Sequence, residues 1–359
     1  MKRFSLIFLG ALAMFMMASC SKNQPQAPDP DAWVSDLSLP VPIQFGGTSL
    51  LETKGYETAS DLNGAELGVV GIARNWEGNP DDNILLNNVK GSIAAGIVSL
   101  EGGTRYYPRE SDKNYSFYGY CPYADAAVSP DGSVVVPITG MGKKDILWAK
   151  AEASGNGYNA KYIRQQRASG GQDYPTFEFV HVTSCLEFKA VANTDDGHNT
   201  DSDFTNIEIR RVTLKNVCAT GDLCVAGPQE GTIVNLGGER SVHSSPLALN
   251  PTIAGTSLGT FYAYPDPALA ESFEVEVVFY SPANGQENLN FKTGKLEPRT
   301  KYLYKLNFNK VDDIKIYVTG VRWESELENS FEVDDLMNPA TSEGSEEDET
   351  QDEPVTPEP

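Results

Sequence analysis

The chain has 359 residues, with 50 acidic against 28 basic side chains and a formal net charge of −22. It has no basic stripe with which to neutralise phosphates, which excludes nucleic acid and anionic lipid headgroups as partners. Fourteen of the acidic residues lie in 324–359, a stretch without Lys or Arg, so the rest of the chain carries only −8.

The length suits two domains, and the first nineteen residues belong to neither. A basic pair, Lys2 and Arg3, precedes fourteen largely apolar residues from Phe4 to Met17. A spanning helix needs about 20 apolar residues, so this run reads as a cleaved export signal. It ends in MMASC at 16–20, which resembles the lipobox of bacterial lipoproteins, where small residues admit the signal peptidase and the Cys sulfur is acylated. Residues 1–19 are therefore expected to be a lipoprotein signal peptide, with Cys20 lipidated. Each buried CH₂ of an acyl chain contributes roughly 0.8 kcal/mol, so two or three chains would tether the protein to a membrane without threading it. Residues 20–40, rich in Pro, Asp, Gln and Ser, read as a flexible tether.

From there the sequence predicts strands almost throughout. In SFEVEVVF at 272–279, Phe273, Val275, Val277 and Phe279 share one face and Glu274 and Glu276 the other. In KYLYKLNF at 301–308, Tyr302, Tyr304, Leu306 and Phe308 alternate with Lys305 and Asn307. Similar runs occur at 43–45, 67–73, 115–120, 134–138, 146–149, 177–192, 207–217 and 314–321. No long stretch carries a 3.6-residue apolar period, so an all-β chain of antiparallel sandwiches is expected. Gly and Pro near residue 225 suggest a division into domains at 41–225 and 226–335. Residues 336–359 have almost nothing to bury and read as an acidic disordered tail.

Motifs for chemistry are sparse. GTSLG at 255–259 matches a nucleophile elbow, but no histidine follows it and no helix is predicted after it. His181 lies in a strand pattern and reads as a core or hydrogen-bonding residue. The loop at 195–203 holds four aspartates without EF-hand order, so it reads as solvated rather than calcium-binding. Cys218 and Cys224 flank ATGDL, which reads as a hairpin turn across which a disulfide is conceivable. Neither a catalytic residue nor a cofactor or metal site is expected. Trp76, Trp148, Tyr106 and Tyr107 would stack on sugar rings if they were exposed on one face, which keeps a surface glycan-binding lipoprotein as the alternative reading.

Several segments in order carry a family resemblance: SFYGYCPYA at 116–124, DILWA at 145–149, FEFVHVTSCLEF at 177–188, VTLKNV at 212–217, KYLYKL at 301–306 and IYVTGVRW at 316–323. Together they resemble the fimbrillin-like lipoproteins of Bacteroidales, the subunits of type V pili. The resemblance implies two transthyretin-like β-sandwich domains in tandem, an outer-membrane lipid anchor, and a place in a cell-surface fimbria. It also implies that a protease cuts after a basic residue following the first strand, here PIQFGGTSL at 42–50, and that a strand of another subunit then fills the vacated groove. The matching cut lies between Lys54 and Gly55. Lys54 stands where arginine is usual, and only FEVDDLM at 331–337 precedes the tail as a donor strand, which leaves tip, accessory and anchor roles open. The adhesion receptor is not specified by any of these residues.

Overall fold

The computed structural model describes residues 31–49, 62–109, 113–151, 156–171, 174–192, 204, 206–264, 273–282, 284–310, 313–322 and 331–332. Its regular structure is almost all β, as the alternating patterns predict. A helical turn α1 (Ala32–Ser35) leads into β1 (Pro42–Ile43), β2 (Phe45–Ser49), β3 (Glu66–Ala73), β4 (Ile84–Ala94), β5 (Ile97–Leu100), β6 (Arg105–Tyr106), β7 (Tyr115–Cys121), β8 (Val134–Thr139) and β9 (Leu147–Ala151). Helix α2 (Ala160–Ser169) and β10 (Thr176–His181) follow. The remainder is β11 (Ser184–Ala192), β12 (Glu208–Ala226), β13 (Thr232–His243), β14 (Thr256–Ala263), β15 (Glu274–Ser281), β16 (Gly285–Lys292), β17 (Thr300–Lys310), β18 (Asp313–Arg322) and β19 (Phe331–Glu332).

Apart from β1 and β6, which pair with each other in a two-stranded sheet, these strands make two units. A closed barrel runs β10-β2-β5-β4-β3-β7-β9 and returns to β10. A sandwich stacks the sheet β14-β11-β17-β18-β19 on β13-β12-β15-β16, with Phe188, Phe279, Leu306 and Phe308 in the core between them. The chain passes from barrel to sandwich between His181 and Ser184, so the continuous apolar run at 177–192 is two strands serving two units. Residue 225, where the sequence suggests a division, lies one residue before the end of β12.

β3 and β7 are buried on both faces. Leu67, Val69 and Phe117 point into the barrel, while Val70, Ile72, Tyr118 and Tyr120 join a separate cluster with Val134 and Val136 of β8 and Leu223 and Val225 of β12. That cluster joins the barrel to the sandwich, and it explains why these strands read as solid apolar runs. β8 is the fifth strand of the second sandwich sheet, off its linear order, and pairs with the far half of β12.

Three expectations need correcting. Two pairings, β2 with β10 and β11 with β17, are parallel. Each joins strands more than a hundred residues apart, so the long connection that parallel pairing requires is supplied by everything between. A real helix, α2, is present; its caps are Asn159, which accepts from the Tyr162 amide, and left-handed Gly170. Only Ile163 of that helix is buried, which is why no apolar period marks it. Third, Cys218 and Cys224 do not flank a turn. Both lie on β12, opposite Glu239 and Thr232 of β13, so a six-residue stretch of strand, roughly 20 Å, separates them and no disulfide can join them.

Candidate functional site

β2, the strand expected to come first in the sequence, lies in the barrel wall between β10 and β5. Residues 46–49 run parallel to 176–179 of β10, whereas only Phe45 and Gly46 meet β5, at Val98 and Ile97. Four positions of β5 pair with β4, so its edge toward β2 is only half used. Side chains supply most of the hold. Ile43 and Phe45 are 5% and 2% exposed, and the Phe45 ring stacks on Phe177 at 5.1 Å and meets Phe117 edge-on at 5.0 Å. Burial of such side chains contributes about 1.5–3 kcal/mol each. Alongside β2 opens a cavity of about 450 Å³, with Ile43, Gly96, Val98, Leu100, Arg105 and Tyr174 in its lining.

The segment leading to β2 is clasped by α2. The Arg164 guanidinium donates to the backbone carbonyls of Trp33, Asp36 (3.1 Å) and Leu39 (2.6 Å), and Arg167 pairs with Asp31 at 2.7 Å. One side chain thus satisfies carbonyls that a one-turn helix leaves open. Beneath lies Tyr107, whose amide donates to Val41 and whose ring meets Phe117 edge-on. Burial holds the Tyr107 phenol well above its ordinary pKa, so it is a neutral packing group at physiological pH. The signals for this clasp, a capped helix and two arginines spaced to reach one neighbour, are present in the sequence but become readable only once α2 is known.

Of the expected processing residues, Cys20, Lys54 and Gly55 lie outside the described residues, as do the aspartate loop at 195–203 and the acidic tail. Phe331 and Glu332 form β19 and pair with Thr319 and Gly320 at the edge of the sandwich. The residues considered for sugar stacking do not share a face. Trp76 and Trp148 pack against the cluster between the units, and their indole N–H groups donate to the carbonyls of Pro130 and Val225. Tyr107 is buried while its neighbour Tyr106 is exposed.

Of GTSLG at 255–259, Gly255 follows a turn and Thr256 to Gly259 lie in β14, with Ser257 inside the strand. His181 lies where the barrel meets the sandwich, its Nδ1 2.6 Å from Asp145 Oδ2, while Thr183 donates to the other Asp145 oxygen at 3.1 Å. Cys121 and His181 both pair with Leu147 from opposite sides. That arrangement is not an activated nucleophile, because burial pushes the Cys121 thiol up to about 12 and keeps it protonated.

A family model described as fimbrillin-like matches residues 58–323, most of the chain. The chain belongs to the fimbrillin-like family. Among solved structures, this fimbrillin-like chain is similar to a candidate cell adhesion protein of Bacteroides uniformis, with a TM-score of 0.52 at 18% identity over 79% of this chain and 98% of the other. A fimbrial protein of Bacteroides vulgatus aligns with a TM-score of 0.50 at 13% identity over 79% of this chain and 99% of that one. At these identities the likeness is one of fold. No curated protein gives a significant match.

Proposed function

We propose that the chain is a structural and adhesive subunit of a type V fimbria, exported as an outer-membrane lipoprotein precursor and assembled at the cell surface by replacement of its first strand. It works by binding rather than catalysis, and the barrel and sandwich serve as its tandem transthyretin-like domains. Family membership supports the fimbrial role. The observation that carries the assembly step is the placement of β2: a wall strand with a buried aromatic anchor, followed in sequence by the polar segment 52–61 that contains Lys54. A cut between Lys54 and Gly55 leaves β2 held by noncovalent contacts alone. Its departure would bare Phe117, Phe177 and the edges of β5 and β10, and open strand edges recruit another chain. The incoming strand comes from another pilus subunit. The short FEVDDLM segment with its three acidic residues favours a tip or accessory position over the stalk.

Mild trypsin tests the mechanism. Polar, glycine-bearing loops are nicked first, so the folded precursor should be cut after Lys54 before lysines in strands are reached. Mass spectrometry should find Gly55 at the new N-terminus, and the cut protein should associate or accept a strand peptide, whereas Lys54→Gln should resist both steps. Survival of Lys54 while other sites are cut, or a cut product that accepts no strand, overturns the reading.

The anchor is tested separately. Cys20→Ser should leave export intact and move the protein from the membrane pellet to the soluble fraction, because it removes the acyl chains that tether it in this scheme. A mutant that still sediments with membranes after a high-salt wash removes the lipid tether from the scheme.

A further inference from the structure

We infer that the groove holding β2 selects its occupant by a profile on the inner face: a large aromatic ring at the Phe45 position and, two residues on, a position that admits no side chain, that of Gly47. The inference rests on the strand-replacement reading above and names the chemistry of the strand that takes the place of β2. It follows that the 331–337 segment of a second copy is not the replacement.

The alternation of a strand puts residues 43, 45 and 47 on one face. Ile43 and Phe45 fill the barrel core, with Phe45 against Phe117 and Phe177. At Gly47 the wall closes in. A Cβ there would lie 2.6 Å from Ile93 Cδ1 and 3.2 Å from Val98 Cγ2. Those two residues are register partners across β4 and β5 and are 2% and 6% exposed, so the Ile93 terminal methyl has no solvent to turn into and must repack within the barrel core. Gly47 is not among the residues with positive φ, so its backbone conformation is open to any residue and the demand for glycine is purely steric.

Gly46 provides the contrast. It points to the other face, where a Cβ would lie 2.8 Å from Tyr174 Cε2 and 3.1 Å from Thr176 Oγ1, a contact a few tenths of an ångström tight. Tyr174 is 39% exposed, and its ring has solvent into which to turn. Two adjacent glycines in one strand therefore differ in kind: position 46 yields, position 47 does not. The typical third inner-face residue of a strand, Val or Ile, is excluded by this wall.

The chain's own candidate donor fails the profile in both directions. With Phe331 in the Phe45 pocket, a strand running the same way as β2 brings Val333 to the Gly47 position, and one running the opposite way brings Asn329. The groove therefore calls for an aromatic-x-glycine strand, which the 331–337 segment is not.

The experiment uses the full chain cut with trypsin, to which labelled nine-residue peptides of sequence 41–49 are added in excess over the cut fragment, with binding read by fluorescence anisotropy. The unaltered peptide should bind, and the Gly46→Ala peptide should bind within about threefold of it. The Phe45→Ala peptide should bind about a hundredfold more weakly, the loss expected for truncating a buried Phe. The Gly47→Val peptide should bind at least about tenfold more weakly through overpacking. A peptide of residues 327–337 should not bind. Equal binding of the unaltered and Gly47→Val peptides overturns the profile while leaving strand replacement standing. Binding of the 327–337 peptide as tight as that of the unaltered one overturns the exclusion of that segment as the donor. Failure of every peptide, the unaltered one included, overturns the strand-replacement reading itself.

Discussion

Gly68→Ala is expected to lower the thermal midpoint by about 6–12 °C, from a destabilisation of about 3 kcal/mol or more. Gly68 of β3 pairs directly with Tyr120 of β7, and the tyrosine ring lies flat over the space a side chain would need. A Cβ would stand 2.2 Å from Tyr120 Cε1 and 2.3 Å from Cζ. The ring has nowhere to go, because Tyr120 is fully buried and its hydroxyl lies 2.7 Å from both Asn88 Oδ1 and the Ala124 carbonyl. Burial raises that phenol to about 12, so it remains a neutral donor to these oxygens. The new methyl must therefore either push β3 and β7 apart or tear the hydroxyl from its partners, and the latter would leave buried polar atoms unsatisfied. Because Tyr120 belongs to the cluster between barrel and sandwich, the strain falls on the contact between the two units. Calorimetry of Gly68→Ala, Tyr120→Leu and the double variant checks it. The double should lose clearly less than the sum of the singles, since a smaller residue at 120 makes room for the methyl. A single-variant loss below about 1 kcal/mol would mean that β3 and β7 do not pack in this register.

The same glycine shows what the sequence made legible and what it did not. Alternation at 272–279 and 301–308 marks β15 and β17 because each has one face in the sandwich core and one outside it. β3 and β7 announce themselves as strands for a different reason, being covered on both sides, yet nothing local says that the outer cover is β8 and β12. Glycine misleads at one point. In CATGDLC it reads as a turn, but β12 continues through it with a register shift against β13 between Thr220 and Asp222, and a Cβ at Gly221 would lie 2.6 Å from Ile233 Cγ2. That glycine makes room for a neighbouring strand instead of reversing the chain. The groove is legible as a strand and illegible as a site: PIQFGGTSL predicts one strand, which the structure divides into β1, paired with β6, and β2, whose parallel partner is about 130 residues away and which Ile93 reaches from another hairpin. Long-range pairing of this kind leaves no trace in local periodicity.

Lys301→Met should be the most costly single charge removal in the sandwich, by about 3 kcal/mol. Lys301 and Glu187 are charged residues of strands, yet their side chains are only 8% and 9% exposed, because parallel β11 and β17 lie side by side and the two residues meet diagonally. Lys301 Nζ sits 3.0 Å from Glu187 Oε2, and Lys189 Nζ lies 3.4 Å from the other carboxylate oxygen. Removing one partner of a buried pair costs about 3–5 kcal/mol because the survivor keeps its charge without its solvation. The low end applies here, since the partly exposed Lys189 still faces Glu187. Replacing both residues, Lys301→Met with Glu187→Leu, removes the stranded charge as well, and well-packed apolar replacements of buried pairs are often neutral or stabilising. The double variant should therefore melt within a few degrees of the native protein while the single variant melts about 6 °C or more below it. A harmless single variant would place the pair in solvent. A double variant as unstable as the single would mean that the ion pair itself fixes the parallel register of β11 and β17, which apolar side chains could slip past.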